Sequence, residues 1–100
     1  MEPDGSERRH HWAFLTTHAA ILLEVHRRPQ ATVRELAAAA DVTERQAHRV
    51  LGDLAASGYI TRTRVGRRNT YQVNESMPMR LRTVSHHQVG ELLAALAPHP

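Results

Sequence analysis

Residues 32–73 constrain this chain more than any other stretch. Two Thr-x-x-Glu/Gln boxes stand eleven positions apart, Thr32 with Glu35 and Thr43 with Gln46. In such a box the threonine oxygen accepts from the amide of the third helical residue, whose own side chain returns to the cap amide. Each box therefore marks a helix start. The first helix has room to run only to about Ala39, presenting Val33, Leu36 and Ala37 inward, before Asp41 turns the chain. Asp tolerates left-handed backbone better than most residues other than glycine. The second helix carries Ala47, Val50, Leu51 and Leu54 at i, i+3, i+4 and i+7 and stops at Ser57-Gly58, with Gly58 as the left-handed C-terminal residue. Two β-prone runs follow, residues 59–65 and 69–73, joined by Gly66-Arg67-Arg68 as a hairpin loop.

Two short helices across a tight turn, then a hairpin, make the outline of a winged helix-turn-helix, a device that holds one helix in the major groove of DNA. The predicted fold is mainly α with one small β-hairpin: three helices, the hairpin and a fourth helix. Upstream, Trp12, Leu15, Ala19, Leu22 and Val25 recur at helical steps, so a first helix is predicted from about His10, ending at Arg27-Arg28 before Pro29. Downstream, Ser85 with Gln88 reads as a third capping box. It opens a last helix that carries Val89, Leu92, Leu93 and Leu96 and ends at Pro98. The expected organisation is a disordered N-terminus over 1–9, a winged helix-turn-helix over 10–75, a linker over 76–84 and a C-terminal dimerisation helix over 85–97.

The charge distribution is more informative than its total. All 13 basic residues are arginine, with no lysine, a bias that GC-rich codon usage produces. Residues 59–73 hold Arg62, Arg64, Arg67 and Arg68 and no acid, while the other 85 residues hold nine arginines and ten acids. The excess positive charge is thus concentrated in the hairpin, as a phosphate-contacting element requires. Cysteine is absent, which excludes disulfides, thiolate zinc sites and cysteine nucleophiles and fits a reducing compartment. The first residues lack the apolar segment of a signal peptide, and no apolar run approaches the roughly 18 residues of a membrane span. A cytoplasmic protein without membrane association is expected.

The second helix of the pair has a split face. Opposite its apolar stripe lie Glu44, Arg45, His48, Arg49 and Gly52, with Thr43 and Gln46 at the start. Arg can donate two hydrogen bonds to guanine O6 and N7, and Gln can pair likewise with adenine. Thr43, Arg45, Gln46 and Arg49 are the expected base-reading residues, with Glu44 beside them. The bland reading is that Arg45 and Arg49 form surface ion pairs with Glu44 or Asp53. Arg62, Arg64, Arg67, Arg68 and Asn69 are expected on phosphate or in the minor groove, Arg62 being nearer the domain body.

Residues 12–74 resemble the winged-helix domain of bacterial regulators of the MarR and ArsR types. The resemblance is carried by Leu36-Ala37, Asp41-Val42-Thr43, Arg49-Val50-Leu51-Gly52-Asp53-Leu54, Gly58-Tyr59-Ile60 and the basic turn Gly66-Arg67-Arg68-Asn69. It implies a dimeric repressor or activator that binds pseudo-palindromic DNA and often releases it on binding a ligand. Two departures stand out. Asp41 occupies a turn position where such sequences often carry glycine, and the cysteine metal-sensing motif of many ArsR-type repressors is missing.

The last helix is more apolar than a short terminal helix needs to cover one small domain. Trp12, Leu15, Ala19, Leu22, Val89, Leu92, Leu93 and Leu96 are therefore expected to build a homodimer interface; the alternative is that the helix folds back on its own core. The chain has eight histidines, including the pairs His10-His11 and His86-His87, and His18 and His26 lie two turns apart on one helical face. Exposed or interface histidines account for these without a metal, and no cofactor is expected. No nucleophile–base pair, carboxylate dyad or phosphate loop suggests an enzyme. The competing function is a winged domain used as a protein-contact or dimerisation adaptor, which would need an apolar or acidic face where Arg45, Gln46 and Arg49 stand.

Overall fold

The computed structural model describes residues 12–97. The predicted disordered segment and the His10-His11 pair lie outside them. The elements are helices α1 (Thr17–Arg27), α2 (Val33–Ala40) and α3 (Glu44–Ala56), strands β1 (Ile60–Val65) and β2 (Arg68–Val73), a 3-10 turn (Arg82–Val84) and helix α4 (Val89–Leu96). This is the expected mainly helical winged helix-turn-helix.

The first helix begins later than its periodicity predicts. Thr16 is extended and its side-chain oxygen accepts from the Ala19 amide, so α1 starts at Thr17 rather than near His10. Trp12 and Phe14 precede the helix, 70% and 92% exposed, with their rings edge-to-face at 5.1 Å. A threonine cap offers a local hydrogen bond that apolar residues at helical spacing, Trp12 and Leu15, do not match. The buried stripe of α1 is Ile21, Leu22, Val25 and His26.

Both capping boxes of the helix pair form. Thr32 accepts from the Glu35 amide at 3.1 Å and Glu35 accepts from the Thr32 amide at 2.8 Å. Thr43 and Gln46 repeat the arrangement at 3.1 and 3.0 Å. α2 and α3 also end alike. Val42 donates to Ala37 and Asp41 to Ala38, as Tyr59 donates to Leu54 and Gly58 to Ala55, the paired bonds of a Schellman end. The left-handed residue is Gly58 (φ 86°) after α3 and Asp41 (φ 62°) after α2. Asp41 thus fills the role that glycine usually takes.

β1 and β2 pair antiparallel with Val65 opposite Arg68, so the turn is Gly66-Arg67 alone and Arg68 belongs to the strand, not to the loop as the sequence suggested. Gly66 has φ 63°, the positive value that a two-residue hairpin turn demands of its first residue. The hairpin is tied to the body where Tyr71 donates to the carbonyl of Pro29, and its ladder runs one rung further where Asn74 donates to that of Tyr59.

Residues 76–84, expected as a linker, follow an ordered path. Met79 donates to His87, Pro78 bridges Gln88, and the Tyr59 hydroxyl donates to the Pro78 carbonyl. The third capping box is Gln88 with Glu91, not Ser85 with Gln88; the Ser85 hydroxyl instead donates to the Arg82 carbonyl at 3.0 Å. The register is imposed from outside the helix, because Val89 donates to Met77 and Gly90 to Glu75. Those two bonds decide which residue can be the first of α4. The core is continuous through Ile21, Val25, Leu36, Ala47, Val50, Leu51, Tyr59, Ile60, Tyr71, Val89 and Leu93.

Candidate nucleic-acid interface

The core stripe of α3 is Ala47, Val50, Leu51 and Leu54. At 3.6 residues per turn the opposite line is Arg45, Arg49 and Gly52, all exposed. Among the described residues, neither Arg45 nor Arg49 has a side-chain hydrogen bond or an ion pair. The acids that the bland reading offered them are engaged elsewhere. Asp53 Oδ2 lies 2.8 Å from His18 Nε2, and Glu44 Oε2 lies 4.0 Å from His48 Nε2. Both guanidiniums are therefore left with their donor forks available.

Thr43 and Gln46 stand differently. Thr43 Oγ1 accepts from the Gln46 amide, while Gln46 Oε1 accepts from the Thr43 amide and from its hydroxyl at 3.2 Å. A bidentate contact to adenine needs the oxygen and the nitrogen of the Gln amide together. In the capped conformation Gln46 has only its NH2 to offer. Glu44, in the first turn of α3, is exposed and suits the positive end of the helix dipole.

In the hairpin, the register sorts the arginines by face. Side chains alternate along a strand and directly paired residues share a side. Arg62 is opposite buried Tyr71 and Arg64 opposite Asn69, so these share the core-facing side, with the arginines carried beyond the core. Arg68 points the other way, and Arg67 occupies the turn. All four arginines are exposed, and Asn69 is half-buried. Arg64 Nε donates to the Gly66 carbonyl at 3.2 Å, which braces the turn. Glu35, at the start of α2, lies near enough to this cluster to feel Arg68. Its carboxyl is held below its ordinary value, first by the Thr32 amide it accepts from, with smaller contributions from the Thr32 hydroxyl and the positive charges of Arg28 and Arg68. Arg34 is an addition to the candidates. It is exposed on the first turn of α2 with no side-chain partner among the described residues, on the helix that crosses the DNA backbone in such units.

The residues expected to pair two protomers divide into three groups. Leu22, Val89 and Leu93 are buried in the protomer's own core. Leu15, Ala19 and Leu92 are half-buried and, with Leu22 and Val89, line a groove of 840 Å³ between α1, the C-terminal end of α3, residues 79–84 and α4. Trp12 and Leu96 are exposed, at 70% and 46%. Part of α4 thus folds onto its own core, while one flank is open. Among the described residues no group of three or more His, Asp or Glu side chains is placed to hold a metal ion. His18 and His26 each face an acid instead, Asp53 and Glu75.

A capped helix pair, an outward arginine line on the second helix and a basic hairpin beside it define a winged helix-turn-helix of the DNA-regulator class. The chain belongs to the MarR family, whose model matches residues 14–68, and it is accordingly one of a family of winged-helix transcription regulators rather than of enzymes. No curated protein matches the chain. No helix among the described residues is long and apolar enough to cross a membrane.

Proposed function

We propose that the protein is a cytoplasmic bacterial regulator that binds double-stranded DNA in a sequence-specific manner. α3 enters the major groove with Arg45 and Arg49 on base edges and Thr43, Glu44 and Gln46 at the groove entrance. Arg62, Arg64, Arg67, Arg68 and Asn69 of the hairpin meet phosphate or the minor groove. What carries the reading is that Arg45 and Arg49 project directly away from the core of α3, without an internal partner among the described residues, beside a hairpin that holds four arginines and no acid. Exposed arginines that meet phosphate displace its condensed counterions, and the entropy of their release favours binding.

Two protomers pair through the open flank of α1 and α4, with Leu15, Ala19, Leu92, Leu96 and Trp12 nearest the partner, and the C-terminal segment acts as the dimerisation element. Their two recognition helices then meet successive major grooves about 34 Å apart, which makes the site a pseudo-palindrome. The groove in that flank is the place for a small effector. The test is selection of duplexes from a random-sequence library with the purified protein, followed by fluorescence-anisotropy titration across salt. Enrichment of one inverted-repeat sequence and a steep fall of affinity with salt support the proposal. Salt-insensitive or undetectable binding at low ionic strength refutes it and favours the adaptor reading.

A further inference from the structure

Four glycines lie among the described residues, and three of them are explained by the fold. Gly58 and Gly66 have φ of 86° and 63°, which side-chain-bearing residues rarely adopt. At Gly90 an added Cβ would lie 2.8 Å from Glu75 Cβ and 2.9 Å from the Glu75 carbonyl oxygen, so that glycine lets α4 pack against the end of the hairpin segment. Gly52 has neither reason. It sits inside α3 in ordinary helical backbone, and an added Cβ would meet nothing within 4 Å. Glycine is the poorest helix former after proline, so alanine would serve the protomer better at this position.

Gly52 stands on the same helical line as Arg45 and Arg49, one turn beyond Arg49. We infer, on the DNA-binding reading above, that Gly52 is a clearance position: the sugar–phosphate wall of the major groove comes into van der Waals contact with the bare main chain of α3 there. A helix can sink deeper into a groove where it carries no side chain, and depth lets the flanking arginine at position 49 reach a base edge. A methyl at position 52 would lift this turn away and withdraw Arg49. Gly52 thereby sets specificity through Arg49, as a positioning residue without a polar contact of its own.

The experiment compares wild type with Gly52→Ala and Gly52→Gln, on the duplex that wild type enriches from the random library and on an unrelated duplex. Gly52→Ala should raise Tm by roughly 4–8 °C. It should weaken binding to the enriched duplex about tenfold to a hundredfold, the worth of one bidentate base contact, and Gln should weaken it further. Binding to the unrelated duplex should change much less. A more stable Gly52→Ala that binds the enriched duplex as wild type does overturns the inference while leaving the DNA-binding reading intact. A less stable Gly52→Ala, or a change in oligomeric mass without DNA, also overturns it. Wild type that enriches no sequence overturns the DNA-binding reading itself, a result separable from either.

Discussion

Gln46 Oε1 lies 3.0 Å from the Thr43 amide nitrogen, so the third residue of α3 is folded back on its own cap rather than extended toward solvent. The arrangement sets the capping box against the base contact proposed for Gln46. Within the protomer the first prevails, because the Thr43 amide has no other partner at the helix start.

This relationship predicts that Gln46→Glu keeps the box, since Glu serves that role equally well and its charge suits the helix N-terminus. Stability should hold or rise slightly while DNA affinity falls, because the new charge faces phosphate. Thr43→Ala should instead lower stability by about 0.5–2 kcal/mol. Denaturant unfolding and anisotropy titration on each variant separate the two effects.

Arg45→Ala and Arg49→Ala should leave unfolding stability within about 0.5 kcal/mol, because both side chains are exposed and neither has a partner among the described residues. Each should reduce discrimination between specific and random duplex by roughly 1–3 kcal/mol. Arg67→Ala and Arg68→Ala should weaken all duplexes alike and each lower the slope of log affinity against log salt by about one. Equal losses on both duplexes for Arg45 and Arg49 would show that they contact only phosphate.

Acid should destabilise the protein through its capping carboxylates. Glu35 is held below the ordinary 4.5 chiefly by the Thr32 amide, and Glu91 by the Gln88 amide and then the His87 side chain. Each titrates lower in the folded chain, so the unfolded chain takes up the proton first. The stabilisation is complete above pH 4.5 and is lost as pH falls through that value toward the lower folded one. Urea unfolding at a series of pH values should show this loss. Glu35→Gln, which preserves the box, should reduce its steepness.

The core role of α4 and the pairing role proposed for it separate by residue. Leu93 is 1% exposed and Leu96 46%. Leu93→Ala should cost about 2–5 kcal/mol of folding stability, as expected of a core leucine. Leu96→Arg should leave the protomer folded but shift its mass, measured by sedimentation at micromolar concentration, from dimer to monomer. An unchanged mass would move the interface away from this helix.

Much of the fold is legible in short windows. Thr32 with Glu35, Thr43 with Gln46, the left-handed Asp41 and Gly58, and the turn of the basic hairpin all follow from residues no more than five positions apart, because caps and tight turns are closed by local hydrogen bonds. The split face of α3 is legible for the same reason: its period is the helix's own. The sequence is less informative where local signals compete. Trp12 and Leu15 fit a helical period, yet Thr16 starts the helix after them. Ser85 and Gln88 fit a capping box, yet the bonds of Met77 and Glu75 to Val89 and Gly90 place the start of α4 at Gln88.

The sequence by itself thus determined the helix pair, its turn, the hairpin and the concentration of cationic charge, because each depends on neighbours along the chain. Tertiary structure alone decided that Leu22, Val89 and Leu93 turn into the protomer's core while Leu92 and Leu96 stay at its edge. It also decided that Asp53 is taken by His18, leaving Arg45 and Arg49 without an ion pair among the described residues, and that a Cβ at Gly52 would meet nothing within 4 Å. The physical reason is that burial and ion pairing depend on which distant segments meet. His18 and Asp53 are 35 residues apart in sequence and 2.8 Å apart in space.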